Sequence, residues 1–510
     1  TPTSYTEIGG RGGPSIKGAF MRICIITTGG TIGSTGHPLS PMPAARFAQA
    51  VHDLLGGALA AALPGDRLHV DDGLRFSDDG PGMLDSTDLR PSDWCRIAGR
   101  VLDLYDDHDA FVILHGTDTV DYTGAALPLL LNVFDDMGIA RAALSKPVIL
   151  TGAQLPLFRD TADGLVLNAG SDALANLTGA LEAARLRLPE VAVFFDRRLL
   201  RGARALKVST TRFAGFDSPH LGPLATRGIG IHPGAVLPLP GPAAPDRALD
   251  AAPARALVRA QLEAVARTID DQRVAQIAAV PSDHRAADPL IARMVRDALT
   301  AGATGLLLEG FGPGNIPAGD GAMAAALAQA RVPVLIASRV IGGQVGAFDY
   351  AAGAWIGATG AVAAGDMTPV AALAKLMILT AMAPHHGWDR TTLTALLARS
   401  LAGECAAGDR LTDALWPGQA LRAADGPLRL ENDPDHGPRL SDGMCVLWQA
   451  PGPGTLRMQG DRLALIAHDG AVLWSSAPAP GAVAVLTAHP PALRLIDPAG
   501  RARPVTALAG

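Results

Sequence analysis

The apolar positions of this chain fall into short runs of branched residues and into longer stretches with helical spacing. Arg22-Ile23-Cys24-Ile25-Ile26, Phe111 to Leu114, Val148 to Leu150 and Val191 to Phe195 are runs of the first kind. They read as strands buried on both faces. Between them, Phe47, Val51, Leu54 and Leu55 recur at helical intervals within Arg46 to Leu63. Gly124 to Phe134 and Asn168 to Ala183 read as two further helices. The alternation predicts βαβ units, and so an α/β fold: a doubly wound, mainly parallel sheet with helices on both faces. Pro223 to Pro253 is rich in proline, glycine and alanine and reads as a connection. A second, smaller α/β unit follows, with strands at Ile277 to Val280, Gly305 to Leu308 and Val334 to Ile336. Its helices include Val370 to Thr380, capped by either Asp366 or Thr368, and Thr391 to Leu401. The expected boundaries are 21–220 for the first unit, 221–253 for the linker and 254–407 for the second unit.

From 408 to 510 the pattern changes. Apolar residues alternate, and proline and glycine punctuate short segments. Leu428-Arg429-Leu430, Leu456 to Leu465 and Leu493 to Ile496 are alike, and Val446-Leu447-Trp448 recurs as Val472-Leu473-Trp474, 26 residues on. Repeats of this length bury a face only by stacking on one another. The expectation is an all-β domain of three related units with Trp448 and Trp474 at its centre.

Composition narrows the picture. At 510 residues the chain is too long for one ordinary core. Its net charge is -6, and it has no basic cluster to track a phosphate backbone, so nucleic acid is not an expected partner. Its apolar runs fall short of the roughly 18 to 20 residues that span a membrane, so no membrane is expected either. The four cysteines, Cys24, Cys95, Cys405 and Cys445, are far apart in sequence and form no Cys-x-x-Cys pair. No metal and no cofactor are expected, Cys24 reads as a small buried residue, and a cytoplasmic location is expected. Residues 1 to 20 lack a signal-peptide core and read as a flexible leader ahead of Met21.

Two of the predicted strands end in the same way. The first runs into Thr28-Gly29-Gly30-Thr31-Ile32, the other into His115-Gly116-Thr117-Asp118-Thr119. A strand that stops at glycine and presents a hydroxyl puts a reactive group at the carboxyl end of a sheet, where open parallel sheets carry their sites. Taken singly, each residue has a plainer reading. Gly-Gly-Thr makes ordinary turns, Ser86 can cap the helix starting near Pro91, Asp118 can cap a helix, and Lys207 can be a solvated charge.

Together the motifs are specific, and the chain from Met21 to about Glu404 resembles the bacterial-type L-asparaginase family. Asp85-Ser86, Lys146 to Gln154, Asp163-Gly164, Lys207 within Ala205 to Thr210, and the glycine-rich turn Gly310 to Pro317 follow in that family's order. The resemblance implies an amidohydrolase that converts L-asparagine to L-aspartate and ammonia through a threonine acyl-enzyme. It assigns Thr31 as nucleophile and Thr117, Asp118 and Lys207 as a triad. Ser86 and Thr87 fall where the family grips the substrate α-carboxylate, Asp118 where it binds the α-ammonium, and Ala153 where a backbone carbonyl contacts the amide. It also implies a homo-oligomer, a dimer or tetramer, acting on a small-molecule amide. A threonine hydroxyl is a weak acid and needs help to attack at neutral pH, and lysine serves as a base once burial and neighbours lower its pKa.

The chain departs from the family pattern in three places. The mobile loop Gly33 to Pro41 lacks the usual tyrosine, and His37 is its nearest bulky polar residue. Pro281-Ser282-Asp283 and Phe348-Asp349-Tyr350 stand where relatives lend an asparagine and a glutamate to a neighbouring subunit. The segment 408–510 resembles the bulb-type mannose-binding lectins, which implies a β-prism. Gln459 and Asp461 match the sugar motif, but its asparagine and tyrosine are missing, so packing or assembly is expected in place of glycan capture. Two alternatives to asparagine hydrolysis stand beside it: an amidase acting on glutamine or another amide, and a carbohydrate-binding protein working through the tail.

Overall fold

The computed structural model describes residues 20–505 except 78–81, 235, 237, 240, 243, 347, 349–350, 406–407, 412–413, 418, 424–427, 443–444, 489 and 498–500. Nearly all of the expected leader, 1–20, lies outside the described residues.

The first unit is built on an eight-stranded sheet. Its strands are β1 Arg22–Thr27, β2 Arg67–Asp71, β3 Ala110–Leu114, β4 Val148–Thr151, β5 Val191–Phe195, β6 Arg198–Arg201, β7 Ala225–Gly228 and β8 Gly230–Pro233. They lie in the order β8-β7-β6-β5-β4-β3-β1-β2. The five strands from β2 to β5 run parallel, and β6, β7 and β8 turn back antiparallel. The alternation of side chains along β1 explains why the run is apolar throughout. Ile23 and Ile25 face a core shared with Phe47 and Leu55 of helix α1 (Ala44–Ala62) and Leu177 of helix α4 (Ala173–Ala184). Cys24 and Ile26 face the opposite core, with Ile97 of α2 (Pro91–Asp103) and Leu127 of α3 (Val120–Leu130).

Several boundaries differ from the sequence expectation. The helix expected at Gly124 to Phe134 starts four residues earlier, at Val120, and stops at Leu130; Val133–Phe134 is a short strand. Asn132 ends it, donating to Pro128 O at 2.6 Å while its own Oδ1 accepts from Leu144 N at 2.8 Å. The helix expected from Asn168 starts at Ala173, because Ser171 N closes a turn on Asn168 O at 3.0 Å. Ser86 does not cap α2. It opens a one-turn 3₁₀ helix, Ser86–Asp88, and the Asp93 carboxylate accepts from Arg90 N at 2.9 Å at the start of α2. The stretch expected as a linker carries β7 and β8, which complete the large sheet. Its prolines and glycines mark the edge hairpin of the sheet and its turns.

The second unit starts with α5 (Ala252–Ala266). Its four-stranded sheet is β9 Val274–Ala278, β10 Gly305–Gly310, β11 Val334–Ser338 and β12 Val362–Ala363, all parallel. Helices α6 (Leu290–Thr300) and α7 (Ala322–Ala328) cover one face. Helix α8 (Pro369–His386) covers the other, and α9 (Arg390–Ala398) packs beside it. Of the two expected caps for α8, Thr368 does the work, its hydroxyl accepting from Ala371 N at 3.1 Å; Asp366 pairs with Arg204 at 3.0 Å. Leu307 and Leu335 of this sheet share one apolar cluster with Ile113 and Phe195 of the large one. The two units are thus fused through α3 and α8, where Ala125, Ala371 and Ala374 allow close approach.

The tail forms three four-stranded antiparallel sheets. Each contains three consecutive strands: 429–449, 455–475 or 483–504. The short strands at 420–422, 414–415 and 410–411 add a fourth to each in turn. Leucines fill the centre, among them Leu430, Leu440, Leu456, Leu465 and Leu495. Trp448 and Trp474 correct the expectation. They touch edge to face at 5.9 Å, but on outer strands, half-buried against the leucine core. Among the described residues no helix is long and apolar enough to cross a membrane.

Candidate active site

Four backbone segments meet at the carboxyl end of the large sheet, and glycine is what lets them. A Cβ built on Gly30 would lie 2.3 Å from Gly116 Cα, and one on Gly29 the same distance from Leu84 O. One on Gly116 would lie 2.4 Å from Ser86 Oγ, and one on Gly152 would lie 2.5 Å from His115 O. Gly29 and Gly30 also take φ of 106° and 70°, the left-handed side that glycine tolerates. Hydrogen bonds continue past the strand ends: Thr28 N to Leu114 O at 2.9 Å, Gly30 N to Leu84 O at 3.0 Å and His115 N to Thr151 O at 2.8 Å. The close contacts explain why three of the four segments carry glycine beside a small or hydroxylated residue.

Thr31 opens a one-turn 3₁₀ helix, Thr31–Gly33, directly after this pair, and is half-buried. Ser34 Oγ donates to Gly30 O at 2.8 Å and steadies the turn. The expected loop from Gly33 to Pro41 is a small hairpin, Ser34–Thr35 against Ser40–Pro41, with His37 exposed at its tip.

Thr117, Asp118 and Lys207 come together although about ninety residues separate them. Lys207 Nζ donates to Thr117 Oγ1 at 3.0 Å and to Asp118 Oδ1 at 2.6 Å. The lysine side chain is 16% exposed and the aspartate 60%, so the pair sits at a mouth with one side toward water. Thr87 Oγ1 reaches the other carboxylate oxygen at 3.4 Å, and Thr119 Oγ1 donates to Ser86 O at 2.9 Å. Ser86 is buried against Gly116, and Ala153 is fully buried beside Gly152. Thr31 stands apart from this network: among the described residues its hydroxyl has no hydrogen bond to Lys207 or Asp118.

Two supporting residues escaped the sequence reading. Asp121 accepts from Lys207 N at 3.1 Å and Tyr122 N at 3.0 Å, fixing the backbone that carries the lysine; burial pushes its carboxyl up. His115 is wholly buried, and burial pushes its imidazole down to about 4. Its Nδ1 donates to Gly116 O at 2.8 Å, so Nε2 accepts from Thr123 Oγ1 at 2.9 Å. Asp121 follows the motif on a helix with nothing in its spacing to mark it, whereas His115 stood inside a motif with only its burial undetermined. Gln154 donates to Ser209 O at 3.2 Å and Arg212 O at 3.1 Å, holding the segment after Lys207. In the second unit Asp283 is exposed in a loop, and Asp349 and Tyr350 lie outside the described residues.

Comparison with known proteins bears directly on this arrangement. The family model "Asparaginase, N-terminal" matches residues 22–233, and "Glutaminase/Asparaginase C-terminal domain" matches 287–395. The chain is 30% identical to L-asparaginase 1 of Escherichia coli K12 over 391 residues, 76% of this chain and 98% of that one. The chain belongs to the asparaginase family. Its fold agrees with that of L-asparaginase I from Vibrio cholerae, with a TM-score of 0.56 and 28% identity over 76% of this chain and 99% of that one. The thermostable L-asparaginase from Thermococcus kodakarensis gives a TM-score of 0.54 and 26% identity, over 75% and 99% of the two chains. The asparaginase N-terminal match ends at 233, where β8 closes the large sheet, and the three-sheet tail lies beyond both family matches.

Proposed function

We propose that this chain hydrolyses L-asparagine to L-aspartate and ammonia through an acyl-enzyme on Thr31. The observation that carries the reading is Lys207 Nζ placed against both the Thr117 hydroxyl and the Asp118 carboxylate, at 3.0 and 2.6 Å. Such a group relays a proton without a metal or cofactor. In the reaction, Thr31 Oγ attacks the carboxamide carbon, and the proton it loses passes to the amide nitrogen. The tetrahedral intermediate collapses, the amide nitrogen leaves as ammonia, and a threonyl ester remains. Water activated at Thr117 then attacks the ester as the neutral Lys207 amine, with Asp118 as its partner, takes its proton; that proton returns to Thr31 Oγ as aspartate leaves. Asp118, with one carboxylate oxygen toward solvent, is suited to an α-ammonium group. Ser86 and Thr87, on the turn beside Gly116, are suited to the α-carboxylate, and the Ala153 carbonyl to the amide.

The finer readings rest on separate support. A homo-oligomer, dimer or tetramer, follows from the family. A cytoplasmic location is supported by four cysteines that stand unpaired. A β-prism reading of residues 408–510, related to bulb-type lectins, is supported by three like sheets and the Trp448–Trp474 pair. We assign that domain to packing or assembly, since only Gln459 and Asp461 of the sugar motif remain.

Ammonia release measured with asparagine and glutamine side by side tests the substrate reading. Faster release from asparagine supports it. Equal or faster release from glutamine moves the assignment to a glutaminase, and release from neither rejects amide hydrolysis of these substrates.

A further inference from the structure

On the far face of β1 from helix α1, three side chains with soft or nitrogen donors converge. Cys24 on β1 pairs in register with His69 on β2, and His108 lies in the turn between α2 and β3. Cys24 Sγ is 3.9 Å from His69 Nδ1, and His69 Nδ1 is 3.1 Å from His108 Nε2. All three donor atoms fall within 4.8 Å of one another. Cys24 and His108 are buried, whereas His69 is exposed on the edge strand. The sequence neighbours are 45 and 39 positions apart, so no ligand spacing announces them.

We propose that Cys24, His69 and His108 form a binding site for a zinc-like divalent cation, separate from the amidohydrolase site. Zinc bonds of about 2.3 Å to sulfur and about 2.0 Å to nitrogen, at tetrahedral angles, put two nitrogens about 3.3 Å apart and sulfur about 3.5 Å from nitrogen. The observed separations of 3.9 and 3.1 Å fall within a few tenths of an ångström of those edges. The donor set selects the metal class, because one thiolate and two imidazoles suit zinc or cobalt, whereas calcium and magnesium take oxygen. His108 is also held in the ligating tautomer: its Nδ1 donates to Leu104 O at 3.0 Å, leaving the Nε2 lone pair toward the site. In the metal-free protein His69 Nδ1 donates to that lone pair. On binding, the His69 proton passes through solvent from Nδ1 to Nε2, the Cys24 thiol gives its proton to solvent, and the cation takes the three lone pairs. One proton is released for each cation bound. The exposed His69 ring gives the entry path and leaves the fourth position to water.

Cobalt(II) titration of the full chain, stripped with chelator, tests this independently of enzymatic activity. The expected result is one equivalent bound, with the near-ultraviolet charge-transfer band of a cobalt thiolate that zinc then displaces. Cys24→Ser should remove the band while the far-ultraviolet circular dichroism is unchanged, and His69→Ala should weaken binding at least about tenfold. Cobalt uptake without the sulfur band overturns the proposal. So does a band that survives in Cys24→Ser, which would place the metal on an exposed thiol such as Cys445. Should Cys24→Ser fail to fold, undiminished binding by His69→Ala, altered only at an exposed ring, overturns it equally.

Discussion

Lys207 is where the account is most exposed to a single substitution. Lys207→Met keeps the length of the side chain and removes the group that faces Thr117 and Asp118. Turnover should fall roughly 10² to 10⁴-fold, the scale of lost general-base catalysis, and a change under about threefold would return Lys207 to a surface charge. Asp118→Asn should raise KM as well as lower kcat, since it also removes the charge offered to the α-ammonium. His115 makes a different prediction. Its folded-state value of about 4 lies below the ordinary histidine value of 6.5, so the unfolded chain binds its proton first. Stability present above about pH 6.5 is therefore lost as pH falls toward 4, by roughly 3 kcal/mol from this residue. Urea unfolding at both ends of that range, with His115→Gln as control, measures it: the variant should show a shallower acid loss. Thr31, Thr117 and Asp118 could be picked out as candidates because each stands in a short motif where a strand runs into glycine. Asp121 was not legible, because its role comes from the backbone of a lysine remote in sequence, which only the fold brings near.

At the scale of elements, buried strands were the most legible feature and helix starts the least. β1, β3, β4 and β5 are apolar on both faces, so a run of branched residues could be only a strand between two layers. Helix starts shifted by four or five residues at α3 and α4, where local turns and side-chain hydrogen bonds override apolar spacing. β7 and β8 were missed because these short strands at the edge hairpin of the sheet carry glycine and proline without an alternating pattern. The cap of α8 was left between two residues, and the choice is testable. Thr368→Ala should cost about 0.5 to 2 kcal/mol by thermal or urea unfolding, while Asp366→Ala leaves that cap intact. The same loss from both variants, each traced to α8, would contradict the assignment of the cap to Thr368.

The whole molecule is two fused α/β units and a tail with its own leucine core. Thr31, Thr117, Asp118 and Lys207 all belong to the first unit, and among the described residues the hydrogen bonds of Thr117, Asp118 and Lys207 stay within it. A chain ending near Ala407 should therefore release ammonia at a rate within a few-fold of the full chain, provided it stays soluble. Complete loss in a soluble, folded truncation would mean that the tail builds the site or the oligomer. The central claim, that Thr31 carries the acyl group, is tested most directly by one assay: ammonia release from asparagine by Thr31→Ala, with folding checked by circular dichroism. The account predicts turnover at the assay background from a protein with wild-type secondary structure. Wild-type-like release from that folded variant would contradict it.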